Sequence, residues 1–246
     1  MARYIRGVAG DDDTQLDQLV HELTSDPAYA TGERRFGRRV SLEDAARIAG
    51  RLQDEVDRGV DARAEMIAAQ GWEVACKRGC NNCCEEPIMI FRPEAARVAR
   101  WLDRPENAEV RAAFRAAYPA WRDRQGDTPA RLSATFANHP ESYVQAHKDA
   151  WAKRILCAFN VDGACSIYPV RPINCRTGHA LDTSEHCHGG ATHPAHRVTF
   201  VPLDQFVART RKLLAAAHHA ARGPKGRVEA LCNVVYELLP PTPRPT

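Results

Sequence analysis

The cysteines constrain this 246-residue sequence more than any other feature, because eight of the nine fall into two groups. The first group lies in the segment 76–84, CKRGCNNCC, and the second is spread over 157–187. The N-terminus has no apolar stretch typical of a secretory signal, so we expect a cytoplasmic protein, and disulfides are rare in that compartment. Clustered cysteines there indicate metal ligands or redox centres.

We predict that all eight grouped cysteines bind metal, since thiolates two to four residues apart can converge on one ion or cluster. The predicted ligands are Cys76, Cys80, Cys83, Cys84, Cys157, Cys165, Cys175 and Cys187. Cys83 and Cys84 are adjacent, with Cα atoms about 3.8 Å apart, so chelation of one ion by both side chains is awkward. They are expected to serve different centres, unless one of them is not a ligand. Two zinc ions, a [4Fe–4S] cluster with a zinc ion, or two clusters would each satisfy eight thiolates.

Other polar side chains near these groups show weaker patterns. Glu85 and Glu86 are predicted in a solvated turn; the alternatives are hydrogen bonding to the ligands, or that one of the two is itself an oxygen ligand. We expect His218 and His219 at the protein surface, and Cys232 in an apolar helix face away from the metal. The histidines of 179–196 are expected as solvated groups of a polar loop, with a ligand or proton-carrier role as the alternative. These are His179, His186, His188, His193 and His196.

Helical spacing dominates the rest of the chain and predicts a mainly α fold, with a few short β elements and helices around two irregular cysteine-rich segments. Ser41 and Asp44 form a capping-box signature ahead of a helix that continues to about residue 72. Further helices are predicted over 93–103, 106–124, 140–154, 203–222 and 227–239, and a short strand over 87–91. Residues 125–138 are predicted as a loop, and 155–190 as irregular structure.

Length and charge set the domain organisation and exclude several classes of partner. One domain is predicted over 41–240, between a partly flexible tail and helix over 1–40 and a Pro-rich tail over 241–246. The net charge of +3 is too small for a dedicated nucleic-acid binder, and no apolar stretch approaches the length of a membrane span. The spacing of Cys76, Cys80 and Cys83 also occurs in radical S-adenosylmethionine enzymes, but the residues that follow do not alternate strand and helix as that barrel requires.

The two cysteine segments together resemble the YkgJ-type cysteine-cluster family, whose members are described as zinc- or iron-chelating proteins. The resemblance covers about residues 73–190. It rests on Cys83-Cys84, Cys157, Gly163, Cys165-Ser166-Ile167-Tyr168, Arg171-Pro172 and Cys175-Arg176. The flagellin lysine methylases share this cysteine pattern. The resemblance therefore implies zinc or iron binding, and it also implies an iron–sulfur-dependent modifying enzyme as an alternative.

Residues between the cysteines of the second segment have physical roles of their own. Pro169 and Pro172 fix the backbone, and Arg171 or Arg176 can donate several hydrogen bonds to thiolates or carbonyls. Tyr168 is expected in ordinary core packing, with covering of the metal site as the alternative. Basic residues that flank the cysteines either offset the thiolate charge or lie in solvent. They are Lys77, Arg78, Arg171 and Arg176.

These patterns predict a cytoplasmic protein that binds an iron–sulfur cluster, with [4Fe–4S] favoured, or zinc through two groups of four cysteines. Iron is favoured over zinc because of the family resemblance and the crowding of eight thiolates. Two alternatives remain open: an iron–sulfur-dependent oxidoreductase or methyltransferase acting on a protein substrate or small molecule, and a zinc-stapled module that binds a protein partner. No catalytic residue is assigned.

Overall fold

A computed structural model describes residues 41–76, 79–181, 183–188, 191, 195, 200–220 and 228–241. This part of the chain contains eight α-helices and two small antiparallel sheets, which confirms the predicted mainly α class with few β elements. The predicted tail and helix over 1–40 lie outside the described residues, as does most of the Pro-rich tail. The helices are α1 (Leu42–Ala69), α2 (Arg92–Leu102), α3 (Ala108–Gln125), α4 (Thr128–Asn138), α5 (Pro140–Ala152), α6 (Ile173–Thr177), α7 (Val201–Ala220) and α8 (Leu231–Leu238).

Helix α1 begins where the sequence predicts, because the Ser41 hydroxyl accepts a hydrogen bond of 2.9 Å from the Asp44 backbone N–H. One face of the helix is buried and packs against α2 and α7. Gly59 allows the close approach of α7, since a Cβ atom at this position would lie 2.7 Å from the Leu203 side chain. Together, α1 and α7 enclose one apolar cluster, which Ile173 of α6 also joins.

A second apolar cluster forms around α2, α3 and α8. Its aromatic centre is Phe114, whose ring stacks on that of Phe159 with centroids 4.0 Å apart. The short strands β1 (Met89–Ile90) and β4 (Glu229–Ala230) pair antiparallel at its edge, with Met89 opposite Ala230. The second cysteine segment contacts both apolar clusters. Cys157 and Cys165 pack against the cluster around α2, α3 and α8. Ile173 of α6 belongs to the cluster between α1 and α7.

The structure corrects two predictions of secondary structure. Residues 128–138 form helix α4, although they are predicted as a loop. Leu132 is fully buried and α4 packs against α5, so tertiary burial outweighs the turn-like composition of the segment. The last helix is predicted over 227–239, but α8 begins only at Leu231. Glu229 and Ala230 form strand β4 instead and pair with β1.

Among the described residues, no helix has the length and apolar character needed to span a bilayer.

His218 is fully buried in α7, which contradicts its predicted surface position. Its Nδ1 atom accepts a hydrogen bond of 3.2 Å from the backbone N–H of Arg92, so it satisfies the orphan donor at the start of α2.

Candidate metal centre

A tight hairpin presents Cys165. Strands β2 (Asn160–Val161) and β3 (Ala164–Cys165) pair with Asn160 opposite Cys165. The two residues between the strands, Asp162 and Gly163, both have positive φ angles, +50° and +80°. An Asp-Gly pair in this conformation is typical of the type I′ turn that joins two-residue hairpins. The turn holds Cys165 at a fixed register opposite Asn160.

Buried polar contacts fix the short helix α6, which carries Cys175. The carboxylate of Glu94, on α2, accepts hydrogen bonds from the Ile173 backbone N–H at 2.9 Å and from the Gln53 side chain at 3.2 Å. Complete burial raises the pKa of Glu94, and these two donors partly offset the shift. Helix α6 has only five residues, so contacts from α1 and α2, and not its own length, set its position.

Two arginines hold the loop before α6 and α6 itself by donating hydrogen bonds to backbone carbonyls. Donation to carbonyls is one of the two roles that the sequence predicts for them. Arg176, which is 1% exposed, donates to the Arg171 carbonyl at 2.6 Å and to the Pro169 carbonyl at 2.9 Å, and it pairs with Asp57 of α1. Arg171 donates to the Cys175 carbonyl at 3.2 Å and stacks over the Tyr168 ring. Tyr168 is 60% exposed, so its predicted core packing is wrong.

The first cysteine segment is attached to the second by backbone and side-chain hydrogen bonds. Cys83 and Cys84 lie in a 3₁₀ turn, Asn82–Glu85. The Cys84 carbonyl accepts a hydrogen bond of 2.8 Å from the Cys157 N–H, and the Asn82 amide donates to the Ser184 carbonyl. Further back, the Ala75 N–H donates to the Ala180 carbonyl at 2.8 Å. The two segments therefore form one structural unit although about 75 residues separate them in sequence.

The thiols divide into two overlapping neighbourhoods. Cys84, Cys157, Cys165 and Cys175 lie close enough to disfavour one another's ionisation. Burial raises the pKa of Cys165 to about 11, and it raises that of Cys175 well above the usual value. Cys83 neighbours Cys80 and Cys175 as well as Cys84. Cys83 and Cys84 thus face partly different sets of thiols, and Cys175 is common to both.

The adjacent pair Cys83 and Cys84 has opposite protonation preferences. A hydrogen bond between the two sulfurs raises the pKa of Cys83 and lowers that of Cys84 to about 7. The side-chain amide of Asn160 also lowers the pKa of Cys84. Cys84 is therefore the sulfur of this pair that is more readily a thiolate, the form that binds metals.

Several N–H groups point at sulfur atoms. The Cys76 sulfur accepts from the Ala180 N–H at 3.3 Å. Backbone N–H groups two residues further along the chain, those of Phe159 and Ile167, point at the sulfurs of Cys157 and Cys165 and favour their thiolate forms. Hydrogen bonds of this kind stabilise metal-bound thiolates.

Cys232 lies beside the second segment, which the sequence did not predict. It is 2% exposed in α8, as expected, but its sulfur is 3.7 Å from that of Cys157. Cys84, Cys157 and Cys232 line one cavity together with the side chains of Glu86 and Gln125. Cys232 therefore lies close to one of the grouped cysteines although it is far from both groups in sequence, and the prediction that it is not a metal ligand stays a prediction.

The remaining predicted groups are placed as follows. Glu85 is buried and pairs with Arg154 at 3.0 Å, so it does not lie in a solvated turn. Glu86 is partly buried, 3.6 Å from His147. Cys187 follows a short 3₁₀ turn and donates its N–H to the Ser184 carbonyl at 3.0 Å, and His186 and His188 flank it. Four other residues with predicted roles lie outside the part of the chain that the structure describes: His193, His196, Lys77 and Arg78.

His179 is held by an arginine of α1. Its Nδ1 atom lies 2.8 Å from the guanidinium of Arg63 and accepts a hydrogen bond from it, which leaves the ring proton on Nε2. Burial, together with the charges of Arg63 and Arg171, lowers the pKa of His179 to about 4. Arg63 also donates to the Thr177 carbonyl, at the end of α6, so His179 belongs to the support of the second cysteine segment.

We expect His179 to make the stability of the protein depend on pH. The unfolded chain binds a proton at this residue near pH 6.5, whereas the folded chain does so only near pH 4, so stability falls as pH is lowered through this window. His179→Gln should remove roughly 1 kcal/mol of that loss, a value discounted because the ring is partly exposed. Urea unfolding at pH 4.5 and pH 7 checks this, with the exposed His139→Gln as control. An equal pH dependence in both variants would contradict it.

The described residues contain no group of three or more cysteine, histidine or acidic side chains arranged tightly enough to hold an ion as they stand. What the structure provides is a gathered set of thiols with donors aimed at their sulfurs. The donor set fits a thiophilic metal such as zinc or the iron of a cluster. Comparisons with family models, curated proteins and solved structures found no match.

Proposed function

We propose that this chain binds an iron–sulfur cluster, zinc, or both through the thiolates of its two cysteine segments. The observation that carries the proposal is the junction of the segments: the Cys157 backbone N–H donates to the Cys84 carbonyl, and burial, with a smaller effect of the neighbouring thiols, raises the pKa of Cys165 and of Cys175. Gathered thiols that resist ionisation gain most from a cation, because a bound metal replaces the protons and offsets the negative charge.

The residues that would hold the metal are the eight grouped cysteines of the sequence. A bound cluster or ion would supply electron transfer, Lewis acidity or structural cross-linking. The chain's own contribution is to hold the sulfurs together, to exclude water from Cys157 and Cys165 by packing them against an apolar cluster, and to aim N–H groups at them. We propose a cytoplasmic location, because metal-binding thiols must stay reduced.

The YkgJ resemblance supports the same function, and together with the crowding of eight thiolates it favours iron over zinc. A closed shell of four thiolates leaves no open position for a substrate, which favours a structural or electron-transfer role over an iron–sulfur-dependent modifying enzyme.

Anaerobic purification of the full chain, followed by metal analysis and an absorption spectrum, tests the proposal. We expect iron with sulfide and a broad absorption near the visible range, or stoichiometric zinc, or both. A colourless preparation with stoichiometric zinc and no iron would reject the iron assignment alone. A preparation that contains neither metal, and that takes up neither on reconstitution, would overturn the proposed function.

A further inference from the structure

The sulfur atoms of Cys157 and Cys232 are in contact, 3.7 Å apart, although the two residues lie 75 positions apart in the sequence. Both thiols are free, and Cys232 is only 2% exposed. The contact joins the start of the second cysteine segment to the first turn of helix α8. A disulfide places its sulfurs about 2.05 Å apart, so a small displacement would bring this pair to bonding distance.

Backbone hydrogen bonds hold both residues of the pair in place. The Cys157 N–H donates to the Cys84 carbonyl at 2.8 Å. On the other side, the Leu231 N–H donates to the Ile88 carbonyl at 3.0 Å, which anchors the residue before Cys232. The two sulfurs can then approach each other by rotation of their side chains about the Cα–Cβ bonds.

The adjacent pair Cys83 and Cys84 also has its sulfurs in contact, but its geometry disfavours a disulfide. Adjacent Cα atoms are about 3.8 Å apart, below the range of about 4.4–6.8 Å that is usual for a disulfide. Cys157 and Cys232 come from distant parts of the chain, so this restriction does not apply to them. Of these two contacts, the one between Cys157 and Cys232 is the better suited to oxidation.

A cavity gives a small oxidant access to this pair. Cys157 and Cys232 both line it, together with Cys84 and Glu86, and it opens at the protein surface. The cavity has room for molecules about the size of water, and most of its other lining residues are apolar. Hydrogen peroxide is small and uncharged, so it suits this cavity, whereas a peptide disulfide is too large.

We propose that Cys157 and Cys232 form a redox-sensitive thiol pair, which hydrogen peroxide converts into a disulfide. One sulfur attacks the peroxide O–O bond, forms a sulfenic acid and releases the first water molecule. The second sulfur then displaces the sulfenic hydroxyl group as a second water molecule. The two thiol protons thus end in water, and two electrons pass from the sulfurs to the peroxide. A dithiol reductant reverses the step by thiol–disulfide exchange.

The disulfide would take Cys157 out of the set of metal ligands. Metals bind the thiolate form, which a sulfur in a disulfide does not have. This consequence rests on the proposed function, whereas formation of the disulfide does not. Cytoplasmic disulfides are usually transient and catalytic or redox-sensing, which fits a pair of this kind. Metal binding would then depend on the redox state of Cys232, a residue outside the eight predicted ligands.

Peptide mapping of the oxidised protein tests the proposal. The full chain is purified anaerobically, freed of metal with a chelator, treated with hydrogen peroxide, alkylated and digested with trypsin without reduction. We expect the peptide that contains Cys232 to be linked to the peptide that contains Cys157, and the link to disappear on reduction. The contact with Cys232 raises the pKa of Cys157, so little thiolate is present at neutral pH and the reaction is followed over several hours.

Three variants show which sulfurs are joined. Cys157→Ser and Cys232→Ser should each lose the link, whereas Cys80→Ser should keep it. The tryptic peptide with Cys157 also contains Cys165 and Cys175, so a link that persists in Cys157→Ser would overturn the proposal. A Cys232 thiol that is still alkylated in the oxidised wild type would also overturn it. If Cys157→Ser or Cys232→Ser does not fold, fragmentation of the linked wild-type peptides decides, and a link to Cys165 or Cys175 would contradict the proposal.

Zinc affinity tests the consequence for metal binding. In a chelator competition, the oxidised wild type should bind Zn²⁺ at least about 10-fold more weakly than the reduced protein, and reduction should restore the affinity. Equal affinities, or an equal loss in peroxide-treated Cys232→Ser, would overturn the exclusion of Cys157 from metal binding. A reduced protein that binds neither zinc nor iron would overturn the proposed function and leave the disulfide standing.

Discussion

Removal of the metal should release both cysteine segments together while the helices around them remain protected. Backbone hydrogen exchange with and without a chelator measures this. The most informative reporters are the amides of Ala75 and Cys157, because each donates across the junction between distant parts of the chain. We expect both to exchange at least about 10-fold faster after chelation, whereas amides of α2, such as that of Val98, keep their rates.

The physical reason is that the segments have little regular structure of their own. Hairpin β2–β3 has two-residue strands, and α6 has five residues, so neither is stable in isolation. Because the ligands form a site only in the folded chain, the free energy of metal binding contributes to folding, by several kcal/mol. Unchanged exchange at Ala75 and Cys157 after complete metal removal would show that the segments do not depend on a metal.

Arg176→Met should destabilise the protein by about 3 kcal/mol. Arg176 is 1% exposed and donates to the carbonyls of Pro169 and Arg171, so a methionine would leave both acceptors without this donor. It would also remove the ion pair with Asp57, which joins the second cysteine segment to α1. Arg176→Lys should recover only part of the loss, because an ammonium group cannot reproduce the geometry of the guanidinium.

Urea unfolding of the metal-free and metal-loaded protein checks this prediction. Arg111→Met is the matched control: Arg111 also pairs with an aspartate, Asp103, but both side chains are substantially exposed. Its loss should cost less than about 1 kcal/mol. A cost for Arg176→Met equal to that of Arg111→Met would show that the buried guanidinium does not hold the loop before α6.

Local signals in the sequence account for much of the fold. Helix α1 has a cap at Ser41 and a regular apolar face, and both can be recognised without tertiary information. Helix α4 has several turn-like residues instead, and the burial of Leu132 against its neighbours is a tertiary contact that the composition does not show. The predicted surface position of His218 is wrong for a related reason. Its hydrogen bond to Arg92 joins residues 126 positions apart in the sequence.

The candidate site also combines features that the sequence reveals with features that only the fold reveals. The grouping of eight cysteines is visible in the sequence because short spacing brings thiols together locally. The position of Cys232 is not, because its contact with Cys157 spans 75 residues and no motif surrounds it. The burial of Glu85 is also a tertiary effect, since its partner Arg154 is 69 residues away. A signal for Cys232 did exist in the odd ninth cysteine, but only the fold shows what it contacts.

The number of metal equivalents per chain in Cys80→Ala and Cys165→Ala tests most directly whether the two segments are metal-binding. These residues come from different segments, and each substitution removes one thiolate from a centre that needs all of its ligands. We predict that each variant, purified anaerobically beside the wild type, loses at least one metal equivalent. Full wild-type metal content in both variants would contradict the proposal that the grouped cysteines are metal ligands.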